Sequence, residues 1–151
     1  MSNASILDTL LAGSGLAEKS ERVEPNLVRL QWGSAFVLVG VSGSAIVAIA
    51  PLFRAAPAGQ ELAFFQKLLE HNAYMGGMAS FAQQPDGWIV LQSGRALKGM
   101  DAQEFATMVS GVGRFADDLD DKLIAEFFSS APEATNRAPL DGAPDPAAAG
   151  A

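Results

Sequence analysis

The clearest pattern of apolar and polar positions runs from Glu61 to Phe127 and predicts a helix, a hairpin and a second helix. In its first part, apolar residues recur every three or four positions, as they do on one face of a helix, and Gly76-Gly77 would end that helix. Two short apolar strands then flank Gln84-Pro85-Asp86-Gly87. Pro at the second position and Gly at the fourth fit a type I turn.

The last helix has the strongest start signal in the chain. Asp101 stands three residues before Glu104, the spacing of a capping box, and Met100 and Phe105 are placed as a hydrophobic staple. Apolar residues then follow at intervals of mostly three or four up to Phe127. The sequence therefore predicts a long amphipathic helix that packs one face on the rest of the domain.

The N-terminal half predicts one helix and three strands. The helix is expected over Ser5 to Ala12, with Ser5 and Asp8 at capping-box spacing, followed by a polar connection at 19–26. The segment 27–32 alternates as a half-buried strand does. From Gln31 to Phe53 there is no charged residue, which allows either two buried strands or a membrane-spanning helix. Its glycines and its Val and Ile content favour strands.

These elements follow one another as α-β-β-β-α-β-β-α. That order predicts an α+β fold with an antiparallel sheet of about five strands and three helices. We expect one domain at 1–128. The segment 129–151 is rich in Ala and Pro, almost without large apolar residues, and is predicted to be disordered.

Composition and charge limit the partners. The 151 residues carry a formal net charge of −7, which repels nucleic-acid phosphates and anionic lipid, so neither is expected as a partner. A basic polypeptide suits this charge better. There is no Cys, which excludes disulfides and thiolate chemistry, and the N-terminus lacks the basic region of a signal peptide. The chain is therefore predicted to be cytoplasmic.

The residues offer no catalytic or metal-binding constellation. His71 is the only histidine, so it lacks companion ligands and relay partners, and no Gly-x-Ser-x-Gly elbow is present. Asn72 lies within an apolar arc and is expected to satisfy its amide on nearby backbone. The acidic cluster 117–121 is interpreted as a solvated helical face rather than a calcium site. We therefore predict no enzyme activity, no cofactor and no metal.

The second half resembles the type III secretion chaperone family, of the CesT or Tir-chaperone type, and the related YbjN-like domains. Three segments carry the resemblance. They are Leu68-Leu69-Glu70-His71-Asn72, Asp86-Gly87-Trp88-Ile89-Val90-Leu91, and Leu97 with Met100-Asp101, Phe105 and Phe115. The resemblance implies a homodimer that binds the extended N-terminal segment of a secreted effector and uses no nucleotide. The alternative is a YbjN-like regulatory or assembly module that binds a folded protein.

The resemblance also suggests where the contacts lie. Its dimers pack largely through the second helix, where core packing is the competing interpretation. The candidate dimer residues are Phe64, Phe65, Leu68, Tyr74 and Met75. An extended peptide would dock on apolar strand faces. The candidate partner-binding residues are Trp32, Phe36 and Leu38.

Overall fold

A computed structural model describes residues 1–128, which form three α-helices and six β-strands. The helices are α1 (Asn3–Ser14), α2 (Glu61–Met75) and α3 (Ala102–Phe127). The strands are β1 (Ser20–Glu24), β2 (Leu27–Trp32), β3 (Ala35–Ser42), β4 (Ala45–Phe53), β5 (Ser80–Gln83) and β6 (Ile89–Ala96). The segment 129–151, predicted to be a disordered tail, lies outside the described residues.

The six strands form one antiparallel sheet in the order β1-β2-β3-β4-β6-β5. The predicted α+β class is confirmed, with one strand more than expected. The additional strand is β1, which the sequence presents as a polar connection. Its side chains are mostly exposed and charged, so it has no apolar period. Its backbone pairs with β2 instead, and a cross-strand ion pair adds to this, because Glu21 lies opposite Arg29 with its carboxylate 2.7 Å from the guanidinium.

The uncharged segment is a pair of buried strands, and the membrane-helix interpretation is wrong. β3 and β4 pair in antiparallel register and are joined by a turn in which Gly43 has φ 57°. That left-handed conformation favours glycine. Among residues 1–128, no helix is both long and apolar enough to cross a bilayer.

α1 and α3 cover one face of the sheet, which we call the inner face. Alternate residues of the central strands point to it, including Val37 and Val39 of β3 and Ile46 and Ala48 of β4. They form one continuous core with the apolar stripe of α3 and with the buried leucines of α1. The alternate residues of the strands and the apolar face of α3 therefore pack together in a single layer.

The N-terminal cap of α3 is the residue that the sequence predicts, whereas that of α1 is not. Asp101 caps α3 as predicted, accepting a hydrogen bond from the backbone N–H of Glu104 at 2.8 Å. α1 begins earlier than predicted because Ser2 is its cap, accepting from the backbone N–H of Ser5 at 3.2 Å. Ser5 and Ser2 have the same hydroxyl chemistry, so spacing alone did not distinguish them.

The β2–β3 turn is fastened to α3 by two kinds of contact. The Trp32 ring lies against Gly113, and Ser34 donates its backbone N–H to Asp117 at 2.8 Å. The Ser34 hydroxyl also reaches a carboxylate oxygen of Asp120 at 3.0 Å. The prediction that this acidic cluster is a solvated face is therefore wrong for Asp120, which is 2% exposed. Its carboxylate is buried because it binds the turn.

Candidate functional site

The face of the sheet opposite α1 and α3 carries a second apolar surface, which we call the outer face. It exists because β3 and β4 are apolar at both alternating sets of positions, a pattern typical of strands covered on both faces. Its apolar residues are all buried in this structure, none of them more than 8% exposed, and are Phe36, Leu38, Val47, Ile49, Trp88 and Val90.

The strand register aligns these residues in rows across the sheet. In one row, Leu38 of β3 lies opposite Ile49 of β4, which lies opposite Gln92 of β6. The row continues to Arg29 on β2. Neighbouring strands are about 4.8 Å apart, so the row is a compact ridge of side chains.

Cationic side chains lie over the two aromatic residues of the outer face. The Arg29 guanidinium is 6.0 Å from the ring centre of Phe36, and that of Arg54 is 5.4 Å from the ring centre of Trp88. Both distances are within the range of cation–π attraction. Two positive groups therefore flank this surface in a chain whose net charge is −7.

The outer face also carries an amide acceptor. The Oε1 atom of Gln92 is buried and accepts no hydrogen bond from the described residues. An amide oxygen without a donor is costly in a buried position. Whatever packs on this face is therefore expected to bring an N–H or O–H group to Gln92.

The structure divides the predicted partner-binding residues between two faces. Phe36 and Leu38 lie on the outer face, but Trp32 lies on the inner side, where its ring packs against Gly113 of α3 and the Lys19 ammonium is 5.8 Å from the ring centre. Sequence reasoning did not select Val47, Ile49, Trp88 and Val90. The sequence does contain a signal for Val47 and Ile49, because β4 is an unbroken apolar run and has no polar face.

The predicted dimer residues are likewise divided. Phe64, Leu68 and Met75 are buried within the domain, where the Phe64 ring meets the rings of Phe53 and Phe127 at 6.1 and 5.2 Å. Phe65 is half-buried, and Tyr74 is 87% exposed. The outward side of α2 instead presents a stripe of Leu62, Phe65 and Leu69 at intervals of three and four residues, which we call the α2 stripe.

The α2 stripe borders a groove of about 230 Å³ between α2 and the edge strand β5. Asn72 closes the strand edge in this groove. Its Oδ1 accepts the backbone N–H of Phe81 at 2.7 Å, and its Nδ2 donates to the carbonyl of Phe81 at 3.4 Å. The expectation that the Asn72 amide is satisfied by backbone is confirmed, although the partner is a strand rather than the helix end.

Replacing Asn72 by leucine is expected to lower the free energy of unfolding by ~1–3 kcal/mol. Leucine has a similar volume to asparagine but has no amide. The backbone N–H and carbonyl of Phe81, which are partly buried, would therefore lose their hydrogen bonds to Asn72. Urea denaturation followed by circular dichroism measures the loss. Gln66→Leu, on the exposed side of the same helix, is the matched control and should change stability by at most ~0.5 kcal/mol. Equal effects of the two substitutions would contradict this role for Asn72.

His71 does not form a reactive centre with the residues described. Partial burial, with a further contribution from Lys67, holds the pKa of His71 below its ordinary value, so the imidazole is neutral at physiological pH. Its ring faces that of Phe81, with 6.2 Å between ring centres. Within residues 1–128, no group of three or more His, Asp or Glu side chains is arranged to hold a metal ion.

Comparison with known proteins finds a likeness of fold. No protein-family model matches the sequence, and no curated protein matches it significantly. A chain of the ExsC–ExsE complex matches with a TM-score of 0.60 and 14% identity, covering 82% of this chain and 97% of that one. A chain of the heterodimeric ExoU–SpcU complex from the type III secretion system of Pseudomonas aeruginosa matches with a TM-score of 0.58 and 19% identity, covering 76% and 95%.

A third match is to a chain of the complex between the Yersinia pestis type III secretion chaperone SycH and a fragment of YscM2. Its TM-score is 0.50 and its identity 18%, covering 82% of this chain and 98% of that one. The resemblance to type III secretion chaperones predicted from the sequence is therefore confirmed at the level of fold.

Proposed function

We propose that this protein is a non-catalytic secretion chaperone, which binds the extended N-terminal segment of a secreted effector and keeps it competent for export. The observation that carries the proposal is the outer face, an apolar surface in line with the central strands and flanked by two arginines. The shared fold with type III secretion chaperones supports the same assignment.

An extended polypeptide fits the chemistry of the outer face. Its side chains would enter between the apolar rows, whose strands are about 4.8 Å apart, while its backbone N–H groups supply the donor that Gln92 lacks among the described residues. Arg54 can receive an acidic side chain of the segment or stay over the ring of Trp88, whereas Arg29 already pairs with Glu21. A nucleic acid is disfavoured because the net charge of −7 repels phosphate.

The chaperone acts in the cytoplasm as a homodimer that uses no nucleotide. The α2 stripe and the adjoining groove form its subunit contact, because leucines exposed by 75% at Leu62 and 67% at Leu69 would otherwise stay in water. A two-fold contact places the same stripe of both subunits together, so one apolar surface covers the other. Client binding on the outer face leaves this contact free.

Co-expression with tagged N-terminal segments of candidate effectors tests the proposal. We expect a stable complex in which proteases spare the bound segment and circular dichroism shows no new folded domain in it. A partner that enters the complex compact and remains so would instead favour the regulatory or assembly module of the YbjN-like alternative. If the protein is purified from cells that express these segments and none of the segments is bound to it, that result would count against a chaperone.

Substitutions on the outer face are expected to weaken binding of the client by at least about tenfold, equivalent to about 1.4 kcal/mol. Leu38→Ser and Val47→Ser each remove an apolar contact from that face and place a hydroxyl there. Isothermal titration calorimetry with the client peptide measures the change, after thermal unfolding has shown that each variant is folded. The matched control is Val23→Ser, at a half-exposed apolar residue of β1 that belongs to neither the outer-face cluster nor the α2 stripe, and it should bind the client as the parent does. If the control loses as much affinity as the outer-face variants, the client lies elsewhere.

A further inference from the structure

The sheet has two edge strands, β1 and β5, and each has one side of its backbone without a neighbouring strand. An open edge of this kind can pair with the same edge of another molecule, so proteins normally block it with charged side chains, proline or a bulge. β1 is blocked in this way. It carries the charges of Glu21, Arg22 and Glu24, and its register with β2 shifts between the last two.

β5 has none of these features. Its four residues, Ser80–Gln83, include no charged residue and no proline, and they pair with β6 without a shift in register. The short length of β5 limits pairing but leaves its outward backbone groups available. By its sequence, β5 is therefore the edge at which two copies of this domain would join their sheets.

The side chain of Asn72 takes the place of a neighbouring strand at this edge. Its amide accepts the backbone N–H of Phe81 at 2.7 Å and donates to the carbonyl of the same residue at 3.4 Å. In an antiparallel sheet, a residue of the next strand makes the same pair of hydrogen bonds with its own C=O and N–H. The Asn72 amide thus copies the backbone groups of one residue of an added strand.

Phe81 is the residue that a second copy would have to bind. The direction of the backbone groups alternates along a strand, so Phe81 and Gln83 both point away from β6. If two copies of β5 paired antiparallel about a two-fold axis at Ala82, Phe81 of each would lie opposite Gln83 of the other. Each hydrogen bond between the copies would then need a backbone group of Phe81 that Asn72 already binds.

We propose that Asn72 is an edge guard, a side chain that prevents two copies of this domain from joining their sheets through β5. This inference does not rest on the proposed client or on the proposed contact of the α2 stripe, because it concerns the backbone groups of β5. It has one consequence for that contact. Subunits that meet at the groove beside β5 would do so through side chains, without forming a continuous sheet.

Removing the amide tests the guard. Asn72→Leu frees both backbone groups of Phe81, and Asn72→Ser, whose side chain is one bond shorter, frees them without adding apolar surface. We expect both variants to form a species of about twice the parent's mass as concentration rises, measured by sedimentation velocity. The matched control is Gln66→Leu, which adds the same apolar side chain at an exposed position of α2 and should sediment as the parent does. If both Asn72 variants keep the parent's mass at every concentration, the proposal is wrong.

Proline at position 83 separates pairing of β5 from other kinds of association. The N–H of Gln83 points away from β6, so Gln83→Pro breaks no hydrogen bond to β6 but removes a donor that the second copy needs. The double variant Asn72→Leu with Gln83→Pro should therefore return to the parent's mass. A double variant that stays associated would show that the copies join elsewhere, which would refute the guard.

Amide exchange of Phe81 reports on the same edge within the strand. In the parent, Asn72 binds this N–H, so its exchange should be slow and independent of protein concentration. In Asn72→Leu it should exchange at least about tenfold faster in dilute protein and become slow again as the copies join. If Asn72→Leu associates and the exchange of Phe81 stays fast, its association does not use β5, contrary to the proposal.

Discussion

Replacing Gly113 by alanine will lower the free energy of unfolding by about 3 kcal/mol, a large effect for one added methyl group. A Cβ atom at this position would lie 2.4 Å from Cδ2 and 2.6 Å from Cγ of Trp32. Those atoms belong to a rigid ring held by β2, so relief requires the β2–β3 turn to move away from α3. That movement would also disturb the hydrogen bonds from Ser34 to Asp117 and Asp120.

Gly111→Ala is the matched control, since it makes the same change in the same helix two residues earlier. There the nearest side-chain atom is Cε of Met78 at 3.9 Å, an ordinary contact. Alanine should therefore stabilise α3 by up to ~1 kcal/mol through helix propensity. Urea denaturation of both variants measures the difference. Trp32→Ala should recover part of the loss in Gly113→Ala, and equal behaviour of the two glycine variants would contradict the packing described.

Aspartate at Leu69 will convert the proposed dimer into a monomer, raising its dissociation constant at least about a hundredfold. The two-fold contact would bury this charge once in each subunit, opposite its own copy, where desolvation and repulsion both oppose association. Leu69 is 67% exposed in the monomer, so the substitution should leave folding unchanged. Sedimentation velocity over a range of concentrations measures the mass.

Two further aspartate variants locate the contact. Val23→Asp places the same charge on an apolar residue of β1 that is 52% exposed and should leave the dimer intact. Tyr74→Asp tests the residue that the sequence proposes for the interface, which lies about 140° around α2 from Leu69. If Tyr74→Asp dissociates the dimer and Leu69→Asp does not, the subunit contact lies on the Tyr74 side of α2.

The elements that the sequence predicts best are those whose signals are local. Asp101 caps α3 with the residue three positions on, and Gly87 closes its turn by donating to the carbonyl of Gln84, so a few neighbouring residues determine each. β1 gives no such signal. It is a strand because its backbone pairs with β2, which also places Glu21 opposite Arg29, and this pairing depends on the register of two segments. Asp120 is buried for a similar reason, since its partner Ser34 lies 86 positions away.

The candidate site shows the same division between local and distant information. Alternation along β3 correctly groups Phe36 with Leu38, because the period of a strand is 2. It does not say which set faces the helices, and it does not relate Trp32 on β2 to either set until the register is known. The outer face includes Trp88 and Val90 only because β6 inserts beside β4, out of sequence order.

The position of α3 also has a consequence for folding in the cell. α3 is the last helix of the domain, yet it packs against β2, β3, β4 and β6. During synthesis the inner face of the completed β3–β4 hairpin has no such cover until Phe127 has been made. At 5–20 residues per second that interval is roughly 4–15 s. The inner face of the nascent sheet is therefore expected to need protection until α3 has been made and can pack on it.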